Sequence, residues 1–164
     1  YFLRYPEAFE RFQPACHTAQ LTDCSPQEIV NAYDNTVLYT DHFLASVIGL
    51  LQKNAARIDG AMIYMSDHGE SLGENGLYLH GAPYALAPEQ QTHVPFVAWF
   101  TDGFASRTGL SLSCLRAKAD APMSHDNLFH TVLGLMNIET SVYDGALDAF
   151  ASCRAPSGNA PLQS

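Results

Sequence analysis

Ala61-Met62-Ile63-Tyr64-Met65 runs directly into Ser66-Asp67-His68-Gly69-Glu70-Ser71-Leu72-Gly73-Glu74-Asn75-Gly76-Leu77-Tyr78-Leu79-His80, joining a wholly apolar pentapeptide to a loop with three carboxylates, two imidazoles and three glycines. A short continuous apolar run bounded by polar residues suits a strand covered on both faces. Val94-Pro95-Phe96-Val97-Ala98-Trp99-Phe100 reads the same way. Upstream, Ser25-Pro26-Gln27-Glu28 sets a capping hydroxyl, a proline at the first helical position and a capping-box glutamate in the order that starts a helix. Ile29, Tyr33, Val37, Leu44, Ile48 and Leu51 then recur at helical steps, with one longer step across Asp41, and predict a helix to about Lys53 whose apolar stripe packs against a sheet or another helix. Helix, strand and loop in this order indicate an α/β layered domain.

A second helix is expected after Ser124, with Asp126 in its first turn and Leu128, Phe129, Val132, Leu133 and Met136 as its buried face. Gly134 weakens that helix slightly. Residues 155–164 are small, polar and proline-containing without periodicity, which predicts a frayed tail behind a domain spanning residues 1–154.

A length of 164 residues with 47% hydrophobic content fits one folded domain. The net charge of -9, with eight Lys and Arg in all, argues against a nucleic-acid partner, because phosphate backbones are held by clustered cations. No apolar run approaches the roughly 18 residues of a membrane helix. Beginning at Tyr1, the chain reads as a processed product or as part of a longer polypeptide. Of the four cysteines, Cys16 and Cys24 lie in a loop-like stretch where a disulfide would contribute about 2 to 3 kcal/mol, leaving Cys114 with Cys153. Four reduced, buried thiols are the alternative, while a cysteine zinc site lacks the Cys-x-x-Cys spacing.

Carboxylate oxygen and neutral imidazole nitrogen are good zinc ligands, and a glycine lets the chain turn so that Asp67 and His68 aim at one point. Loops at the carboxyl ends of strands are where open α/β sheets bind ligands. The same residues would also serve as a polar surface loop with Asp67 as a helix cap. His80, followed by Gly81 and Pro83, reads by itself as a structural or exposed residue. Glu70 and Glu74 read as solvated carboxylates or as groups orienting a ligand. His17, His42, His93, His125 and His130 are read as bystanders, and Thr36, Thr92 and Thr131 as helix or strand residues.

The segment SDHGESLGENGLYLHGAPYALAPEQQTHVPFVAWF, from Ser66 to Phe100, closely resembles the zinc-dependent phosphoethanolamine transferases that modify lipid A, a group that includes polymyxin-resistance enzymes. YDNTVLYTD at Tyr33 to Asp41 and SHDNLFHTVLGLM at Ser124 to Met136 resemble the same family. The resemblance implies the carboxyl-terminal part of a three-layer α/β/α, alkaline-phosphatase or sulfatase-like domain. It places that domain on the periplasmic face of a Gram-negative inner membrane, anchored by an amino-terminal helical domain and carrying disulfides. It further implies Zn2+ as cofactor, Asp67 and His68 as two ligands of the catalytic zinc, His80 as the histidine near the transferred phosphate that can hold a second zinc, and Glu70 in an assisting role. The implied reaction moves phosphoethanolamine from phosphatidylethanolamine to lipid A through a phospho-threonine. The family's threonine nucleophile and a glutamate ligand fall upstream of Tyr1 and have no counterpart here, so the 164 residues are expected not to turn over alone. The alternatives are a same-fold phosphoglycerol transferase, phosphodiesterase or sulfatase, or a non-catalytic zinc-binding fragment.

Overall fold

A computed structural model of the chain describes residues 1–155. The tail expected over 155–164 lies, apart from Ala155, outside the described residues. Those residues form two compact units, one of Tyr1–Lys53 with Met62–Ala98 and the other of Asn54–Ala61 with the chain from Trp99 onward. No helix among the described residues is long and apolar enough to cross a membrane.

The first unit is built on helix α1, Pro26–Lys53. Its start is the capping box expected from the sequence: the Glu28 N–H donates to Ser25 Oγ at 3.3 Å and the Ser25 N–H donates to Glu28 Oε2 at 2.7 Å. The Ser25 N–H, then the Ser25 side chain, holds the Glu28 carboxyl below its ordinary pKa. The buried face of α1 departs from the predicted stripe. Of the predicted residues Ile29 is buried, Tyr33, Leu44, Ile48 and Leu51 are half-buried and only Val37 is exposed, but the buried positions also include Asn31, Ala32 and Asn35. The reason is polar. Asn35 Oδ1 accepts from the N–H groups of Arg11 and Phe12 at 2.8 and 2.9 Å, and Asn31 Nδ2 donates to the Pro14 carbonyl at 2.8 Å. Buried backbone groups of the leading loop thus find their partners on the helix, as buried polar groups must. Ala15, Cys16, Ile29 and Ala32 form the adjoining core, closed by a Cys16–Cys24 disulfide.

Strand β1, Ala61–Met65, pairs with a later strand, Phe96–Phe100. Between them come β2, Ser71–Leu72, β3, Tyr78–Leu79, and the short helix α2, Glu89–Thr92, which makes Phe96–Phe100 strand β4. The Ser66 N–H donates to the Pro95 carbonyl beyond one end of the β1–β4 pair and the Thr101 N–H to the Gly60 carbonyl beyond the other, an antiparallel arrangement. Only Met62 and Phe100 in these strands are buried, so the expected covering of both faces is not met among the described residues. Among the described residues β1 and β4 pair only with each other, and a two-stranded pair lacks the further strands and helices that would cover both its faces.

The second unit holds α3, Asp102–Thr108, α4, Leu112–Ala117, and α5, Asp126–Leu135. Thr101 and Ser111 cap α3 and α4 by accepting from the N–H groups of Phe104 and Cys114. A Cys114–Cys153 disulfide ties α4 to the closing segment, so both cysteine pairs form as expected. On α5 the buried residues are Thr131 and Leu135, while Phe129 and Met136 are exposed, so the burial is rotated from the predicted face. Thr131 is drawn inward because its Oγ1 accepts the Ala149 N–H at 3.0 Å. Gly134 is required by packing: a Cβ there would collide with the ion pair between Asp148 and Arg154.

Candidate metal-binding site

β1 delivers the chain to Ser66, whose hydroxyl donates to the His68 carbonyl at 2.7 Å and begins a tight turn. Gly69 follows, and its N–H donates to the Gln91 carbonyl at 3.0 Å. The approach to α2 is so close that a methyl at position 69 would overlap the Gln90 carbonyl oxygen. From behind, the fully buried Ser71 hydroxyl accepts from Gln91 Nε2 at 2.8 Å, fixing β2 on α2. The antiparallel register Ser71 with Leu79 and Leu72 with Tyr78 then returns the chain, through a turn with Gly73 at φ 126°, to place His80 beside Glu70.

The result is a convergence of His68, Glu70 and His80, whose ligating atoms lie within 4.8 Å of one another. The His68 and His80 rings are 3.9 Å apart, centre to centre, tilted by 31°. Glu70 is the buried member, with its side chain 7% exposed. Its Oε1 is 2.8 Å from His80 Nδ1, and its Oε2 accepts from the Tyr1 hydroxyl at 3.0 Å. Burial, then the Glu70 bond, pushes the Tyr1 phenol well above its ordinary pKa, and burial near the same carboxylate raises Tyr33, whose ring meets Tyr1 edge-on at 5.5 Å.

The hydrogen bonds fix how the histidines present themselves. His68 Nδ1 lies 2.9 Å from the Gly69 carbonyl, an acceptor only, so that nitrogen carries a proton and Nε2 is the one that can ligate. A carboxylate at Glu70 likewise accepts from His80 Nδ1. Asp67 stands apart from the buried group, its side chain 89% exposed, but its Oδ2 is 3.8 Å from His68 Nε2.

Glu70 is therefore not the solvated carboxylate that residue type alone favours. Glu74 is not at the site: its Oε2 accepts the Leu72 N–H at 2.7 Å and stabilises the turn. Among the other histidines, His17 meets Glu10, His42 packs on Phe9, His93 pairs with Glu89 and His130 accepts the Asp144 N–H, all outside this cluster. Thr36 and Thr92 donate to helix carbonyls, and Thr131 is the buried acceptor on α5. Sequence reasoning missed Tyr1 and Gln91. Their contacts with Glu70 and Ser71 span 69 and 20 positions, and no local pattern marks such pairs.

A family model described as Sulfatase matches residues 1–138. Phosphoethanolamine transferase EptA of Salmonella typhimurium is 43% identical over 155 residues, covering 94% of this chain and 28% of that protein. Phosphatidylethanolamine transferase Mcr-1 of Escherichia coli is 44% identical over 138 residues, covering 84% of this chain and 24% of that protein. Of solved structures, the soluble domain of lipooligosaccharide phosphoethanolamine transferase A from Neisseria meningitidis matches with a TM-score of 0.88 at 46% identity, over 94% of this chain and 47% of that one. The C-terminal periplasmic domain of phosphoethanolamine transferase EptC from Campylobacter jejuni matches at 0.76 and 44% identity, over 90% and 46%. The chain thus spans about a quarter of the length of these curated relatives and just under half of the solved domains. The mixed helices and strands are those of a sulfatase-like α/β fold, and with residues 1–138 of 164 matched the chain belongs to the Sulfatase family.

Proposed function

We propose that this chain supplies part of the active site of a zinc-dependent transferase that moves phosphoethanolamine from phosphatidylethanolamine to lipid A. The observation that carries this reading is the convergence of His68, Glu70 and His80 in a chain similar to named phosphoethanolamine transferases. The donor set fits zinc. Two nitrogen or oxygen ligands on a tetrahedral zinc, each 2.0–2.2 Å from it, stand roughly 3.4 Å apart, and Asp67 Oδ2 and His68 Nε2 are 3.8 Å apart on one open side. Asp67 and His68 would hold the catalytic ion, and His80 would offer Nε2 to the phosphoryl group or to a second ion. When bound, zinc neutralises charge on phosphoryl oxygens and lowers the pKa of a coordinated hydroxyl.

The chain's own residues do the orienting. Gly69 and Gln91 hold the ligand loop on α2, the Gly69 carbonyl keeps the His68 proton on Nδ1, and Glu70 does the same for His80. Thr36, Thr92 and Thr131 each hydrogen-bond to the backbone, and we place the nucleophile of a phospho-threonine intermediate in polypeptide outside these 164 residues. Two disulfides agree with an oxidising compartment, and we place the chain on the periplasmic face of a Gram-negative inner membrane, reached through a membrane domain outside this sequence.

The test uses the full-length protein that carries this chain, with phosphatidylethanolamine labelled in its head group and lipid A as acceptor. Asp67→Ala is expected to lose zinc and transfer together, and retained transfer would refute the assignment. The breadth of the Sulfatase match supports a second reading, action on another head group or ester by the same site. Glycerol-headed donors and sulfate esters run in parallel separate the two.

A further inference from the structure

We infer that Tyr1 is a positioning residue for the site, acting through Glu70 to fix the proton and ring of His80. The inference rests on the proposed zinc reading for its consequence but not for its geometry. Glu70 is nearly buried, and each of its oxygens has one partner: Oε2 receives the Tyr1 hydroxyl at 3.0 Å and Oε1 faces His80 Nδ1 at 2.8 Å. An ionised carboxylate only accepts, so with Tyr1 donating on one side the other oxygen must be met by an N–H. That places a proton on His80 Nδ1 and makes Nε2 the nitrogen that can serve as a ligand.

Tyr1 can act in this way because it is itself held. Its ring meets Tyr33 edge-on at 5.5 Å and packs against the Ala15, Cys16, Ile29 and Ala32 cluster. Without its hydroxyl, Oε2 would lie in a buried place with no donor, and the carboxylate would turn to find one. His80, half exposed, has no second named side-chain hydrogen bond to keep its ring in place. Partners that orient a ligating histidine in this way affect metal affinity by about 10- to 100-fold when removed.

The experiment uses the full-length protein that carries this chain, labelled with 15N in its histidines. Metal-free protein is read by long-range proton–nitrogen NMR, and zinc affinity by competition with a chromophoric chelator. In the unmodified chain His80 is expected as the Nδ1–H tautomer. Tyr1→Phe keeps the ring and is expected to give a mixture of tautomers and about tenfold weaker zinc binding. Tyr33→Phe, which has no bond to Glu70, is expected to change neither. Should Tyr1→Phe fail to fold by circular dichroism, Glu70→Gln replaces it, since an amide fixes neither nitrogen as donor and the same mixture is expected. A single Nδ1–H tautomer in the variant that folds, with zinc affinity within twofold of the unmodified chain, would overturn the inference. Loss of the tautomer in a chain that takes up no zinc at all would leave Tyr1 its role and refute the zinc reading instead.

Discussion

Gly69→Ala tests whether the site loop is held by its contact with α2. The backbone at Gly69 does not need a left-handed conformation, so the substitution carries no conformational penalty of that kind. The cost is steric. Besides overlapping the Gln90 carbonyl oxygen, the new Cβ would stand 3.0 Å from the Gln90 carbonyl carbon and 3.2 Å from Gln91 Cα, where ordinary contact is 3.4–4 Å. All three atoms are backbone, so relief requires the loop or α2 to move as a whole. Forcing a methyl into such a place costs about 1 to 3 kcal/mol. Reduced freedom of the unfolded chain returns about 0.4 to 1 kcal/mol. With backbone atoms in the way the steric cost lies in the upper part of its range, about 2 to 3 kcal/mol, so the net loss of about 1 to 2.6 kcal/mol lowers Tm by roughly 2 to 10 °C for a domain of this size. A loop pushed off α2 also weakens the Gly69 N–H bond to Gln91 and displaces His68 and Glu70, which flank position 69. Thermal melts followed by circular dichroism, with zinc competition on the same samples, check both consequences. Gly49→Ala on α1, with nothing within 4 Å of the new methyl, is the control and should stabilise by up to about 1 kcal/mol. A Gly69→Ala variant as stable as the parent and binding zinc equally well would refute the reasoning.

Gln91→Leu removes the donor to the fully buried Ser71 hydroxyl and should cost about 1 to 3 kcal/mol by chemical denaturation, whereas Gln90→Ala, whose side chain makes no named hydrogen bond, should cost much less. Reducing Cys114–Cys153, which closes a loop of sequence separation 39, should destabilise more than reducing Cys16–Cys24, with separation 8; chain entropy makes the difference about 1.4 kcal/mol, measurable with paired Cys→Ser variants. Burial, then the bond to Asp148, holds the Tyr143 phenol above its unfolded value. That group's contribution is therefore complete below about pH 10 and lost as pH rises past it. Tyr143→Phe should lessen the alkaline loss of stability without abolishing it, because Tyr1 and Tyr33 shift in the same direction. Asp148→Ala strands the mostly buried Arg154 guanidinium and should cost about 3 to 5 kcal/mol.

The parts legible from sequence were those encoded within a few residues. Ser25 and Glu28 signal a capping box because both partners lie in one turn, and the apolar pentapeptide Ala61–Met65 signals a strand by itself. Asp67, His68 and His80 were legible as candidate site residues through chemical type and family resemblance. The buried polar part of α1 was not legible. Hydropathy looks for apolar stripes, but Asn31 and Asn35 are buried because distant loop carbonyls and N–H groups need partners. Glu70 was undervalued for a related reason: nothing near it in sequence announces that Tyr1 supplies a donor or that β3 returns His80 to its other oxygen. On α5, Gly134 looked like a weak point and is a close-approach position, a distinction made only by Asp148 and Arg154.

Zinc uptake by the full-length protein that carries this chain, measured by chelator competition alongside His68→Ala and His80→Ala, tests the central claim most directly. Binding by the unmodified protein and a loss of at least about tenfold in each variant are expected. No uptake by the unmodified protein, or equal affinity in all three proteins, would contradict the zinc assignment.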